Sequence, residues 1–155
     1  MPDLLVDALA RLGLTLPAVS TPAGAYTPTV ITGDLLFVAG QVSRTDEVSY
    51  LGQLGAELSL EQGQEAARLC ALHVLAHVAA AVAGDLGRVR RCVRLGGFVN
   101  AVPGFRDHAQ VMNGASELML AVFGERGRHV RTSVGAGSLP RGAAVEVEAV
   151  FEIAP

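Results

Sequence analysis

The stretch Val145-Glu-Val-Glu-Ala-Val-Phe-Glu-Ile153 constrains this chain more than any other. Successive side chains of a strand point to opposite faces, so Val145, Val147, Ala149, Phe151 and Ile153 share one face. Glu146, Glu148 and Glu152 share the other. A sheet built with this strand has an apolar face that helices must cover and an acidic face left to water or to another subunit.

Two helical stretches can provide the cover. Ser59-Leu-Glu-Gln62 has the capping-box pattern, with Glu61 well placed in the first turn, and predicts a helix from there to about Ala83 that stops at Gly84. Past Arg68 this helix is apolar around most of its circumference, which predicts packing on more than one side. Pro103 and Gly104 open a second helix, about Phe105 to Phe123. Its spacing turns Phe105, Ala109, Met112, Ser116, Met119 and Phe123 inward and Arg106, Gln110, Asn113 and Glu117 outward. A shorter amphipathic helix occupies residues 3 to 12 and ends at Gly13.

The remaining strands are Val30–Ile31 and Leu35–Val42 around a Gly33-Asp34 turn, Arg88–Asn100, and Val130–Ala136. The continuously apolar run Leu35–Ala39 has the pattern of a strand covered on both faces. Gly96-Gly97 marks a bulge or a close backbone approach. Residues 17 to 28 and 43 to 58 read as loops. The order is α-β-β-α-β-α-β-β. It specifies an α+β fold: one domain over residues 1–155, a mixed β-sheet covered by two long helices, with residues 1–20 as an N-terminal helical extension.

Composition narrows the chemistry. All twelve basic residues are arginine, so a Schiff-base lysine, an internal aldimine to pyridoxal phosphate and a Walker A lysine are excluded. Any anion is held by arginine, backbone amides or hydroxyls, and arginine offers a carboxylate a planar, permanently charged fork. The net charge of −3 and the single basic cluster, Arg88-Val-Arg-Arg-Cys-Val-Arg94, argue against a nucleic-acid partner. That cluster reads as a strand edge or a solvated face. Cys70 and Cys92 match no metal or redox spacing and read as buried thiols. No run is long and apolar enough for a membrane span and no secretory leader is evident, so the expected location is the cytoplasm.

Few residues stand out as a site. Arg131 and Ser133 share a face of their strand. If that strand forms a hairpin with the last one across Ser138-Leu-Pro-Arg-Gly142, they come near Glu146. Such a pairing reads equally as a surface ion pair or as a site. His73 and His77 stand at i, i+4 with no third ligand nearby, a spacing that suits helix packing better than a metal. His129 points the same way along its strand as Arg131.

Two separated motifs add a resemblance. Arg131-Thr-Ser-Val-Gly-Ala-Gly-Ser-Leu-Pro140 with Val145-Glu-Val-Glu-Ala149, and Pro22-Ala-Gly-Ala-Tyr26 with Leu36-Phe-Val-Ala-Gly-Gln-Val42, resemble the RidA (YjgF) superfamily. They stand in the family's order, and the likeness runs from about Gly24 to Ile153. It implies a chorismate-mutase-like fold assembled as a homotrimer with inter-subunit clefts. It also implies hydrolysis of 2-imino or enamine acids to 2-keto acids and ammonia, with no metal or organic cofactor. Carried over by position, Arg131 clamps a substrate carboxylate and Glu146 positions or activates the attacking water. Tyr26 closes over the ligand, and Ser133, Gly40 and Asn113 complete the binding site. Ala39 stands where active members often carry serine, and residues 43 to 58 and Val111–Ser116 mark a divergent branch. The expected partner is a small carboxylate, turned over by an enzyme or held by a trimeric binding protein. A ribonuclease or translation-inhibitor role fits the charge balance least.

Overall fold

The computed structural model describes residues 4–155, and Asp3, the first residue of the expected N-terminal helix, lies outside the described residues. Helix α1 spans Leu4–Arg11 and places Leu5 and Leu9 in the core. Strands β1 (Thr29–Thr32) and β2 (Leu35–Val42) follow, then helix α2 (Leu60–Ala81) and strand β3 (Val89–Asn100). Helix α3 (His108–Phe123) and strands β4 (Val130–Ala136) and β5 (Val145–Ile153) complete the chain. The long helix starts as its sequence dictates. Ser59 Oγ accepts from the Gln62 amide, and the Gln62 side chain accepts from the Ser59 amide.

The five strands form one sheet in the order β1-β2-β5-β3-β4. The odd-numbered residues of β5, Val145 to Ile153, are all buried beneath α2 and α3. Cys70, Val74, Leu75 and Val78 of α2 and Val111, Met112, Leu118 and Met119 of α3 meet them in one core. Burying each such side chain stabilises the fold by about 1.5–3 kcal/mol before the cost of ordering it. Both thiols lie in this layer, and burial raises them, Cys92 to about 12.

Three expectations change. β4 and β5 are not a hairpin: β3 lies between them, pairing parallel with β4 through the α3 crossover and antiparallel with β5. The glycine-rich link from Ala136 to Gly142 is long enough to pass over one strand. β2 is not covered on both faces, since Leu36 and Val38 are buried while Leu35 and Phe37 remain exposed. Helix α3 starts at His108, not Phe105, with Asp107 at its N-cap, and Gly104 at φ +88 lies in the turn before it. Its buried stripe shifts accordingly to Val111, Met112, Ala115, Leu118, Met119 and Phe123. Ala109 is exposed, Ser116 is half-buried, and Asn113 turns toward β4 instead of outward. The Gly96-Gly97 pair is a close approach, since a Cβ on Gly97 would run into the Met112 side chain. The bulges of β3 lie earlier, between Val89 and Arg91 and between Cys92 and Arg94.

Candidate functional site

Register decides which candidate residues meet. Residues paired across strands share a face. Arg131 pairs with Leu95, and Leu95 with Ala149, so Arg131 belongs to the helix-covered face. Ser133 pairs with Gly97 and through it with Val147, on that same face. Glu146 pairs with Phe98, and Phe98 with Val134, on the open face. Within one chain, Arg131 and Glu146 therefore point to opposite sides of the sheet, with a strand between them. The candidate residues divide into two groups.

The first group surrounds Arg131 on the edge strand β4. Its Nη1 donates to Asn113 Oδ1 at 2.9 Å and to Ser116 Oγ at 3.0 Å, and its Nη2 donates to the Ala109 carbonyl at 3.1 Å. Three of its five N–H groups are thus taken by α3, and two remain for a ligand. Arg131 also borders a depression of about 350 Å³ with Ser116, Leu120, Arg128 and His129. Ser133 lies close by with its Oγ buried and unpartnered among the described residues. Asn113, expected as a ligand contact, accepts from Arg131 through its Oδ1. The helical spacing puts Ser116 on the inward apolar stripe, and the structure sets it against Arg131. Its place one turn after Asn113, with His129 two residues before Arg131, is the pattern in the chain that marks this group.

The second group lies on the open face around Glu146. The Glu146 carboxylate sits directly over Gly40, where a Cβ would collide with it. Its neighbours are neutralised: Arg94 Nη1 lies 3.0 Å from Glu148 Oε1, and Arg90 reaches Glu152 at 3.6 Å and Asp34 at 3.9 Å. Glu146 has no cation among the described residues. Burial, and secondarily the charge of Glu148, raise its pKa above the ordinary carboxylate range. Alongside, Thr27, Pro28, Phe37, Ala39, Arg94 and Glu148 line a hollow of about 450 Å³. The loop carrying the exposed Tyr26 runs into it, with Pro28 accepting from the Ala39 amide. Tyr26 is near the β1–β2 side and Arg131 is on β4. Four strand spacings of about 4.8 Å separate these sheet edges, roughly 19 Å in all.

Three of the four arginines in the basic cluster are engaged within the chain. Arg90 and Arg94 face acids, and Arg88 donates to the Ala154 carbonyl at 3.1 Å. The paired histidines of α2 serve packing: His73 Nε2 lies 3.0 Å from the Arg44 carbonyl and His77 Nε2 lies 3.1 Å from Ser20 Oγ. Burial lowers both pKa values. No group of three or more metal-ligating side chains occurs among the described residues, and no helix there is long and apolar enough to cross a membrane.

Comparison with known proteins places these features in context. The family described as "YjgF/chorismate mutase-like, putative endoribonuclease" matches residues 6–151. Protein TCP17 of Trypanosoma cruzi is 50% identical over 147 residues, covering 94% of this chain and 91% of that protein. The crystal structure of Atu1372, a protein of unknown function from Agrobacterium tumefaciens, superposes with a TM-score of 0.91 at 42% identity, covering 98% of this chain and 94% of that one. A more distant likeness, in fold alone, is to E. coli TdcF, solved with bound serine. There the TM-score is 0.61 at 18% identity, covering 89% of this chain and 99% of that one.

Proposed function

This chain belongs to the YjgF (RidA) superfamily, and from that premise we propose that it binds a small carboxylate-bearing molecule through Arg131 and hydrolyses 2-imino or enamine acids. The products are a 2-keto acid and ammonia, and the site forms between protomers of a homotrimer. The observation that carries the reading is the division of the candidate residues. An arginine with two free N–H groups stands on one sheet face, and an acid with no cation partner among the described residues stands on the other. Arg131 of one protomer and Glu146 of its neighbour then border one cleft, with Gly40 and the Tyr26 loop beside Glu146. The exposed Val30, Leu35, Phe37, Val130 and Val134 support an assembly that covers this face. The serine bound to TdcF supports an amino-acid-sized ligand.

In the proposed step, the two free N–H groups of Arg131 hold the substrate carboxylate and fix C2 of the imine. Glu146 takes a proton from water as the oxygen attacks C2. It passes that proton to the imine nitrogen, giving a carbinolamine, and then carries the C2 hydroxyl proton to the same nitrogen as the C–N bond breaks, leaving the keto group and ammonia. An enamine first gains a proton at carbon and gives one up from nitrogen, which makes it the imine. A raised carboxyl pKa suits a group that must both take and return a proton. Binding without turnover is the second reading, and it has its own observation: Ala39 brings no hydroxyl to the hollow beside Glu148. The ion pairs that occupy Arg90 and Arg94 weigh against an RNA-binding role.

The test generates 2-iminobutyrate in situ with a dehydratase and follows keto-acid release. Acceleration by wild type, lost in Arg131→Ala, supports the enzyme. No acceleration, with calorimetric binding of 2-ketobutyrate that Arg131→Ala abolishes, leaves a binding protein. Neither turnover nor Arg131-dependent binding removes the reading.

A further inference from the structure

His129 adds a second tier to the Arg131 group. Its Nδ1 lies 2.7 Å from the Gly127 carbonyl, and a carbonyl oxygen only accepts, so the ring carries its proton on Nδ1. In the neutral ring Nε2 is then an acceptor. It lies 2.9 Å from Ser116 Oγ, so the serine hydroxyl donates its one proton there. That donation leaves the serine lone pairs free, and Arg131 Nη1 donates to them at 3.0 Å. One placement of protons satisfies the whole chain, from Arg131 through Ser116 and His129 to the Gly127 backbone. The backbone end of the chain is anchored: Gly127 is buried where any Cβ would collide with the Met119 backbone.

We propose that Ser116 and His129 are positioning residues for Arg131. They fix the tautomer and the hydroxyl that hold Nη1, so that Nε–H and one Nη2–H are the donors presented to a ligand carboxylate. This inference rests on the carboxylate-binding reading above and deepens it. Arginine side chains have many rotamers. A guanidinium tethered on one edge binds a carboxylate without first losing that freedom. Asn113 Oδ1 takes the other Nη1 proton, and the Ala109 carbonyl fixes Nη2. Neither Ser116 nor His129 needs to touch the ligand. A lysine at 131 has three N–H donors, all of which the acceptors of α3 would engage, so arginine is required here for a reason beyond its charge.

Kinetics with 2-iminobutyrate and calorimetry with 2-ketobutyrate on the full chain test the role. Ser116→Ala and His129→Ala should each raise KM and Kd about tenfold, the scale of one hydrogen bond to a charged group, while kcat changes less than about twofold. Ser116→Thr keeps the hydroxyl and His129→Gln keeps an acceptor where Nε2 lies, so both should restore KM and Kd to within about threefold. Combining Ser116→Ala with His129→Ala should cost no more than either alone, since the two act in series. Affinity unchanged in Ser116→Ala, or no rescue by threonine, overturns the proposal. Nitrogen-15 spectra of the imidazole read the device without any ligand. An unprotonated Nε2 whose resonance moves in Ser116→Ala supports it, and a neutral ring protonated on Nε2 overturns it. Failure of wild type to bind 2-ketobutyrate removes the carboxylate reading and the positioning role together. The spectra, which need no ligand, distinguish that failure from a failure of the hydrogen-bond chain itself.

Discussion

The two edges of the candidate site are built on opposite principles. Around Arg131 the polar groups answer one another: three acceptors on α3 hold the guanidinium, and a histidine and a backbone carbonyl hold one of those acceptors. Around Glu146 the charge is left unanswered. Glu148 and Glu152 each have an arginine within 4 Å, but the half-buried Glu146 has none among the described residues. A satisfied cation is stable and pre-oriented, which suits binding. A half-buried acid without a partner is unfavourable to the fold in its ionised form, which is the usual condition of a proton-transferring group. Under the proposed function, holding falls to β4 and chemistry to β5.

The largest effect should separate those assignments directly. Glu146→Gln is expected to lower kcat by about 10²–10⁴-fold with little change in Kd for 2-ketobutyrate. Arg131→Ala should instead weaken Kd by about 10-fold or more. Steady-state kinetics beside calorimetry checks the split, and equal losses in both constants for both variants would erase it. Mixing the two inactive variants tests whether the edges come from different protomers. If each cleft draws one residue from each of two neighbours, random reassortment makes about a quarter of the clefts intact. Activity should then return to about that fraction, and none returns if both residues serve one protomer's site.

Gly40→Ala should come next. The added methyl meets the far end of the Glu146 side chain, which can swing aside, so we expect a loss of roughly tenfold in kcat with stability nearly unchanged. Gly97→Ala is its counterpart. There the methyl meets Met112 within the core, and the cost should appear as about 1–3 kcal/mol of stability in denaturant titration.

The pH dependence follows from the raised pKa of Glu146. As a base it must be ionised, so kcat should fall with falling pH through a value above the ordinary carboxylate range. Stability has the opposite sign. A carboxyl whose folded-state pKa exceeds its unfolded one favours the fold below the unfolded value and loses that contribution as pH rises through the folded one. Glu146→Gln should therefore be more stable than wild type at neutral pH, with the difference closing in acid. The smallest effect belongs to the exposed pair Arg128–Glu125, 2.9 Å apart. Truncating Glu125 should change stability by less than about 1 kcal/mol.

Much of this molecule is legible in its residues one stretch at a time. The capping box at Ser59, the alternation of Val145–Ile153, the order of the elements and the exclusion of lysine chemistry each depend on neighbours along the chain. Local propensity and periodicity carry that information. The motifs around Arg131 and Glu146 likewise mark the family and name two residues of consequence. Only the tertiary structure decides how those residues stand to each other. A Leu-Pro turn between two strands reads as a hairpin, yet β3 pairs with both and separates them. Strand order is set by which apolar faces the helices bury together, and no segment carries that information alone. Register then puts Arg131 under α3 and Glu146 on the open face. The partners that orient the arginine come from a helix 15 to 18 residues away, where Ser116 and Asn113 resemble ordinary helix surface until the sheet edge is laid against them.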